Sequence, residues 1–143
     1  MSQIVKGLVV FCSLLAVACS PLESEKSSSA PMLEGQWRVE SITGDGVIDY
    51  SPAQLFFDGQ GKLSGNASCN RLFGEYDVAD GELIIGEQIG TTRMMCVPAL
   101  MNQEQKLLSV LPGTHRMQWK QEVLYLLDES GGEILRIIRQ QQP

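Results

Sequence analysis

From Gly35 onward apolar and polar residues alternate with a period of two, and glycine-bearing turns cut the alternation into short runs. Trp37 and Val39 alternate with Arg38 and Glu40. Leu55-Phe56-Phe57 runs into Asp58-Gly59-Gln60-Gly61 and returns as Lys62-Leu63-Ser64, the pattern of strand, tight turn and strand. Tyr76-Asp77-Val78 passes through Ala79-Asp80-Gly81 into Glu82-Leu83-Ile84-Ile85. Met117-Gln118-Trp119 pairs with Val123 to Leu127 across Lys120-Gln121-Glu122, and Asp128 to Gly132 turns into Ile134 to Ile138. The pattern predicts about eight strands. One segment departs from it: Val97, Leu100, Met101, Leu107, Leu108 and Leu111 recur at helical spacing, with Asn102, Gln103 and Gln105 as polar spacers. Pro98 suits a first helical turn and Pro112-Gly113 stops the element. The expected fold class is α+β: a small antiparallel β-rich domain, a partly closed barrel or curved sheet, with one amphipathic helix whose apolar stripe seals an open end.

The N-terminus obeys different rules. After the start amine and Lys6, Gly7 to Ala18 (GLVVFCSLLAVA) is uncharged and apolar, the n- and h-regions of an export signal. Its twelve residues fall short of the roughly 20 that cross a hydrocarbon core. Ala16-Val17-Ala18 before Cys19 resembles the lipobox of bacterial lipoproteins, which implies that residues 1–18 are a signal peptide and that Cys19 becomes a lipidated N-terminus. The alternative is ordinary cleavage that leaves Cys19 a plain thiol. Ser20 to Glu34 holds five serines and two prolines, so residues 19–34 are expected to be a lipidated end and flexible tether, with a reach of about 20 Å. Residues 35–143 are expected to form the domain. A serine after the lipidated cysteine fits sorting to the outer membrane, facing the periplasm, with the acyl chains as the membrane contact.

Composition narrows the chemistry. The chain has 143 residues, of which 43% are hydrophobic and 20% charged, with net charge −6 and a pI near 4.7. That balance gives no electrostatic basis for gripping phosphates, so nucleic acid is not an expected partner. His115 is the single histidine, which excludes multi-histidine metal sites and leaves any Ser/His or Cys/His pair dependent on it. No metal, cofactor or catalytic residue is expected. Gly61-Lys62 is followed by Leu63 rather than Ser or Thr and reads as a hairpin turn; Asn66-Ala67-Ser68 matches a glycosylation triplet that a bacterial leader makes incidental.

With Cys12 removed and Cys19 lipidated, Cys69 and Cys96 are left, enough for one disulfide in an exported protein. Buried free thiols and a redox pair remain the alternatives, the spacing not being Cys-x-x-Cys. Both cysteines stand in distinctive segments: Gly65-Asn66-Ala67-Ser68-Cys69-Asn70-Arg71 with Gly74 following, and Thr92-Arg93-Met94-Met95-Cys96. Together with Trp37, a helix carrying Glu104 and the closing Leu124 to Leu127 and Glu133 to Leu135 strands, they resemble the META domain family of HslJ-like bacterial lipoproteins, over roughly Gly35 to Arg139. Ser68 departs from the glycine common at that position and asks more of its backbone.

The resemblance implies a non-enzymatic envelope lipoprotein linked to stress tolerance or envelope homeostasis, acting on an envelope protein or a lipid ligand. Two other readings stay open: a carrier of a lipid or small apolar ligand in the β-domain, and a thiol redox protein using Cys69 and Cys96. If the cysteines pair, Asn70, Arg71, Thr92 and Arg93 converge as a candidate recognition surface. The competing reading is structural, with Asn66 and Asn70 taking left-handed turn positions and the arginines capping carbonyls or pairing with acids.

Overall fold

The computed structural model describes residues 33–141. The signal peptide, Cys19 and most of the expected tether lie outside the described residues. Among those residues ten strands and one helix follow one another: β1 (Gly35–Ile42), β2 (Asp45–Gly46), β3 (Gln54–Phe57), β4 (Lys62–Asn66), β5 (Arg71–Ala79), β6 (Glu82–Ile85), β7 (Gly90–Thr91), α1 (Pro98–Val110), β8 (Gly113–Lys120), β9 (Val123–Leu127) and β10 (Glu133–Arg139). Every pairing is antiparallel. The ladder runs β1-β3-β4-β5-β6-β8-β9-β10 and returns to β1 through Trp37↔Arg139 and Ile42↔Leu135, closing an eight-stranded barrel. The two-residue strands β2 and β7 extend the edges of β1 and β5; they are too short to leave an alternation signal in the sequence.

Alternation fills the lumen. Trp37 and Val39, Leu55 and Phe57, Leu63, Leu72 and Tyr76, Leu83 and Ile85, Leu124 and Leu126, Leu135 and Ile137 all point inward and form one apolar core. Trp37 packs tilted on Trp119 at 5.7 Å, and Phe57 meets Tyr76 edge-on at 4.9 Å. Burial raises the Tyr76 phenol above its ordinary value, while its oxygen accepts the Gly59 N–H at 3.0 Å and ties the β3–β4 turn to the core. In that turn Asp58 Oδ1 accepts the N–H groups of Gln60 and Lys62, at 2.7 and 2.9 Å, and Gly59 and Gly61 adopt the positive φ that the turn requires.

The two ends of the barrel differ. At one end lie the β3–β4, β5–β6 and β8–β9 turns and both described chain ends. Leu33, in the segment whose composition predicts tether, is fully buried there, and its carbonyl accepts Trp37 Nε1–H at 2.8 Å. Arg139 stacks over the Trp37 ring and donates to the Glu34 carbonyl at 2.8 Å. At the other end the loops after β2 and β4 meet α1, which enters the core through Leu107 and continues into buried Leu111. His115 at the start of β8 holds the Leu111 carbonyl at 2.9 Å through Nε2.

Candidate functional site

The features that set this chain apart from a plain barrel gather at the helix end. Val97, in extended conformation, precedes α1, and Pro98 opens it, where a missing N–H costs nothing. The face that α1 turns inward is the expected apolar stripe only in its second half: Leu107 and Leu111 are buried and Leu108 packs against the core, but Gln103 and Glu104 are buried beside them while Val97 and Met101 are exposed. The periodic signal from Val97 to Leu108 therefore placed the first turn of the helix on the wrong side. Polar side chains go inside because backbone groups of two loops must be satisfied there.

Glu104 satisfies the β4–β5 turn. Its Oε2 accepts the backbone N–H of Cys69 at 3.0 Å and of Asn70 at 2.5 Å, and its Oε1 accepts Asn70 Nδ2 at 2.8 Å. Asn70 then carries the tie to the segment before α1. Its Oδ1 accepts Met94 N–H at 2.6 Å and the Thr92 hydroxyl at 3.0 Å, while Nδ2 also donates to the Met94 carbonyl at 3.3 Å. Gln103 clamps the other loop: Nε2 donates to the hydroxyls of Ser51 (2.5 Å) and Ser68 (3.0 Å), and Oε1 accepts Ile48 N–H at 2.8 Å. Among the described residues every buried side-chain nitrogen and oxygen has a partner.

Cys69 and Cys96 are bonded, with their Cα atoms 5.8 Å apart. Cys69 is buried and Cys96 half-buried, so the bridge pins the turn gripped by Glu104 to the residue just ahead of the helix. Ser68 sits at φ +129°, a conformation that favours glycine. Ser68 N–H reaches Asn66 Oδ1 at 2.9 Å, and among the described residues the positive φ of this turn falls on Ser68 and not on Asn66 or Asn70.

The two motif segments do converge: Leu72 pairs with Thr91, Thr92 N–H donates to the Arg71 carbonyl, and Arg71 N–H donates to Thr92 Oγ1, both at 3.1 Å. Of the four residues expected to form a recognition surface, Arg71, Thr92 and Arg93 are exposed. Asn70 is 5% exposed and belongs to the interior, because its amide holds the neighbouring backbone. Met94, Met95 and Val97 stand out beside them, Met95 at 91% exposure. Sequence reasoning missed Gln103 and Ser51 as members of this knot, and for Ser68 it found the backbone demand but not the hydroxyl's bond to Gln103. The available signal was the spacing of Gln103, Glu104, Leu107 and Leu111, which marks the inward face as mixed rather than apolar.

A shallow cleft of about 230 Å³ lies between α1 and β2. Ile42, Val47, Ile48 and Ala99 line it, and Asp45 faces Lys106 across it at 3.9 Å. Among the described residues no three His, Cys, Asp or Glu side chains gather as a metal site, and no helix is long and apolar enough to cross a membrane.

Comparison with known proteins sets this architecture in a family. The chain is 27% identical over 107 residues to "Heat shock protein HslJ" of Escherichia coli K12, covering 73% of this chain and 75% of that protein. An NMR structure of a protein from Burkholderia xenovorans is similar over 94% of this chain and 100% of that one, at 25% identity and a TM-score of 0.64. Another NMR structure matches 76% of this chain and 92% of its own, at 26% identity and a TM-score of 0.60. A crystal structure of a DUF4847 family protein from Bacteroides vulgatus, 14% identical over 80% of this chain and 99% of that one with a TM-score of 0.51, shares the fold alone. The META domain model matches residues 30–141, the whole barrel with its helix, and the chain belongs to that family.

Proposed function

We propose that this chain is a stress-related lipoprotein of the bacterial envelope, anchored by lipid on Cys19, whose domain acts by recognition rather than catalysis. The observation that carries the reading is the relationship, over 107 residues at 27% identity, to a protein named for heat shock, within a family whose model spans the barrel and helix. The arrangement of the helix end supports a non-enzymatic role. Glu104 and His115, the buried titratable side chains there, are engaged in holding backbone groups, with the Glu104 carboxylate facing three donors. The polar knot and the bridge hold Arg71, Thr92 and Arg93 on a fixed surface, the preorganisation that a recognition patch needs. The outer membrane, facing the periplasm, is the location that the leader and Ser20 favour.

The test uses the source bacterium. Loss of the chain should lower survival after a heat step, wild-type chain should restore it, and Cys19→Ser should leave the protein unlipidated and outside the membrane fraction. Undiminished survival of the deletion strain would remove the stress role, and membrane fractionation unchanged by Cys19→Ser would remove the anchor. Arg71→Ala with Arg93→Ala should reduce rescue at unchanged protein level; full rescue would remove the recognition surface.

The carrier reading finds its support in the cleft beneath α1 rather than in the lumen, which the core side chains fill. Native mass spectrometry of the protein released gently from its own membranes tests it: a co-purifying apolar molecule lost on Ile48→Glu would put the carrier role ahead.

A further inference from the structure

The outer wall of the barrel carries an arrangement that neither the core nor the helix end explains. Register places Gln36, Phe56, Ser64 and Phe73 in one transverse row across β1, β3, β4 and β5. Strand alternation turns this row outward, since Leu55, Phe57, Leu63 and Leu72 on either side of it are buried. Outward positions on a water-facing wall are normally polar, yet Phe56 and Phe73 are 40% and 51% exposed. They stand two strands apart, about 10 Å, with the small Ser64 between them. The result is a trough of about 440 Å³ bounded by two rings.

The neighbouring row supplies polar groups. Arg38, Gln54, Asn66 and Arg71 lie side by side in it, and Gln36 Nε2 donates to Gln54 Oε1 at 2.7 Å across the two rows. That hydrogen bond leaves the Gln36 carbonyl and the Gln54 amino group as an adjacent acceptor and donor, the complement of an acetamido group. Among the described residues no carboxylate pairs with the Arg71 guanidinium, although the protein carries net charge −6. Glu40 and Glu75, on the flanking strands, are already paired with Arg38 and Lys62. A free guanidinium beside an aromatic trough suits a ligand that presents apolar C–H faces, hydrogen-bonding groups and a carboxylate together.

We propose that this wall binds an acidic, N-acetylated saccharide, with two sugar rings lying in the trough against Phe56 and Phe73, an acetamido group on the Gln36–Gln54 pair and a carboxylate on Arg71. A disaccharide is about as long as the distance between the two rings. The patch offers two phenyl rings and a handful of polar groups, well below the roughly 800 Å² per partner of a stable protein interface, which favours a small rigid ligand over a protein surface. The inference rests on neither the lipid anchor nor the stress role, and its failure would leave both standing.

The test titrates the purified full chain with N-acetylglucosaminyl-N-acetylmuramic acid, and with neutral N,N′-diacetylchitobiose, by calorimetry and saturation-transfer NMR. The acidic disaccharide should bind, and diacetylchitobiose should bind about tenfold more weakly for want of the charge-assisted bond. Arg71→Ala should bring the two sugars level, and Phe56→Ala with Phe73→Ala should abolish both, at an unchanged melting temperature because both rings stand at the surface. Ser64→Phe fills the trough without removing any ring and should block binding as well, so a folding defect in the alanine variant cannot decide the matter. Absence of binding at about 10 mM sugar, far weaker than any useful affinity, would overturn the proposal, as would affinity that survives Ser64→Phe. Adsorption to phosphatidylglycerol vesicles through Phe56 and Phe73, with no response to the disaccharide, would also overturn it and assign the wall to a membrane surface.

Discussion

The two ends of the barrel are closed by opposite means. At the Leu33 end one apolar side chain and the Arg139–Trp37 stack cover the core, and the strands beneath them interlock by simple alternation. At the helix end Glu104, Gln103 and Asn70 satisfy backbone groups of two loops, and a disulfide fixes the arrangement. Apolar burial is nondirectional and tolerates repacking, whereas a buried polar knot fails when one member is missing. The barrel should therefore respond to substitution as a whole, and the helix end locally.

The largest expected effect is in the barrel. Trp37→Ala removes the core's largest ring together with its bond to Leu33, and should cost about 3–5 kcal/mol, with the near-ultraviolet circular dichroism and far-ultraviolet signals melting together. Separate transitions would break the view of the barrel as one cooperative unit. Cys69→Ser should cost about 3–4 kcal/mol by the chain-entropy model for a loop of about 28 residues, or roughly 10 °C or more in melting temperature. Amide exchange should rise first in α1 and the β4–β5 turn and leave β9 and β10 protected; uniform acceleration would erase the distinction between the ends. Labelling both cysteines of the unfolded protein before reduction would reject the bridge itself. Glu104→Gln keeps the shape of the side chain but sets an amide donor against the turn's donors, and should cost about 2–3 kcal/mol, again localised to the helix end.

These effects also mark what the sequence could announce. Hairpins at Asp58-Gly59 and Asp80-Gly81 and the limits of α1 at Pro98 and Pro112-Gly113 are legible, because turn and stop signals are local chemistry. Closure of β10 on β1 joins residues about a hundred positions apart, and alternation does not specify which edge meets which. In α1 the pattern locates Leu107, Leu108 and Leu111 but not the polar part of the inward face, because a hydrophobic pattern registers only what water rejects; Gln103 and Glu104 turn inward on account of loop N–H groups supplied from elsewhere in the chain. Asn70 was placed at the surface for the same reason. The backbone demand on Ser68 was legible and appears as φ +129°, whereas its hydroxyl's bond to Gln103 was not.

Ser68 gives a finer test. Ser68→Gly should raise stability by about 0.5–1 kcal/mol, as relief of φ strain outweighs one lost hydrogen bond. Ser68→Ala should lower it by about 1 kcal/mol, since the strain stays while Gln103 loses a partner. The reverse order in thermal melts would show that the hydroxyl and not the backbone governs this turn. The smallest effect belongs to acid. The Lys62 and Gln60 N–H groups hold the Asp58 carboxyl below 3.8, and the Ser130 hydroxyl and Gly132 N–H do the same for Asp128. Depressed in the folded state, both acids stabilise above their unfolded values and lose that contribution as pH falls through the folded ones. Asp58→Asn with Asp128→Asn should flatten the decline of melting temperature below pH 3.8; an unchanged acid limb would place the sensitivity elsewhere.

The position of Leu33 also settles how the domain meets a mechanical pull. The chain enters β1 at the end where β10 leaves, and β1 is laddered to β3 on one flank and β10 on the other. Tension between Leu33 and the helix end runs along the strands and loads both ladders of β1 in shear, so many hydrogen bonds must yield at once. Tension between Leu33 and Gln141 peels β1 from β10 one bond at a time. A domain held from residue 33 and engaged at its far end is thus gripped along its strong axis.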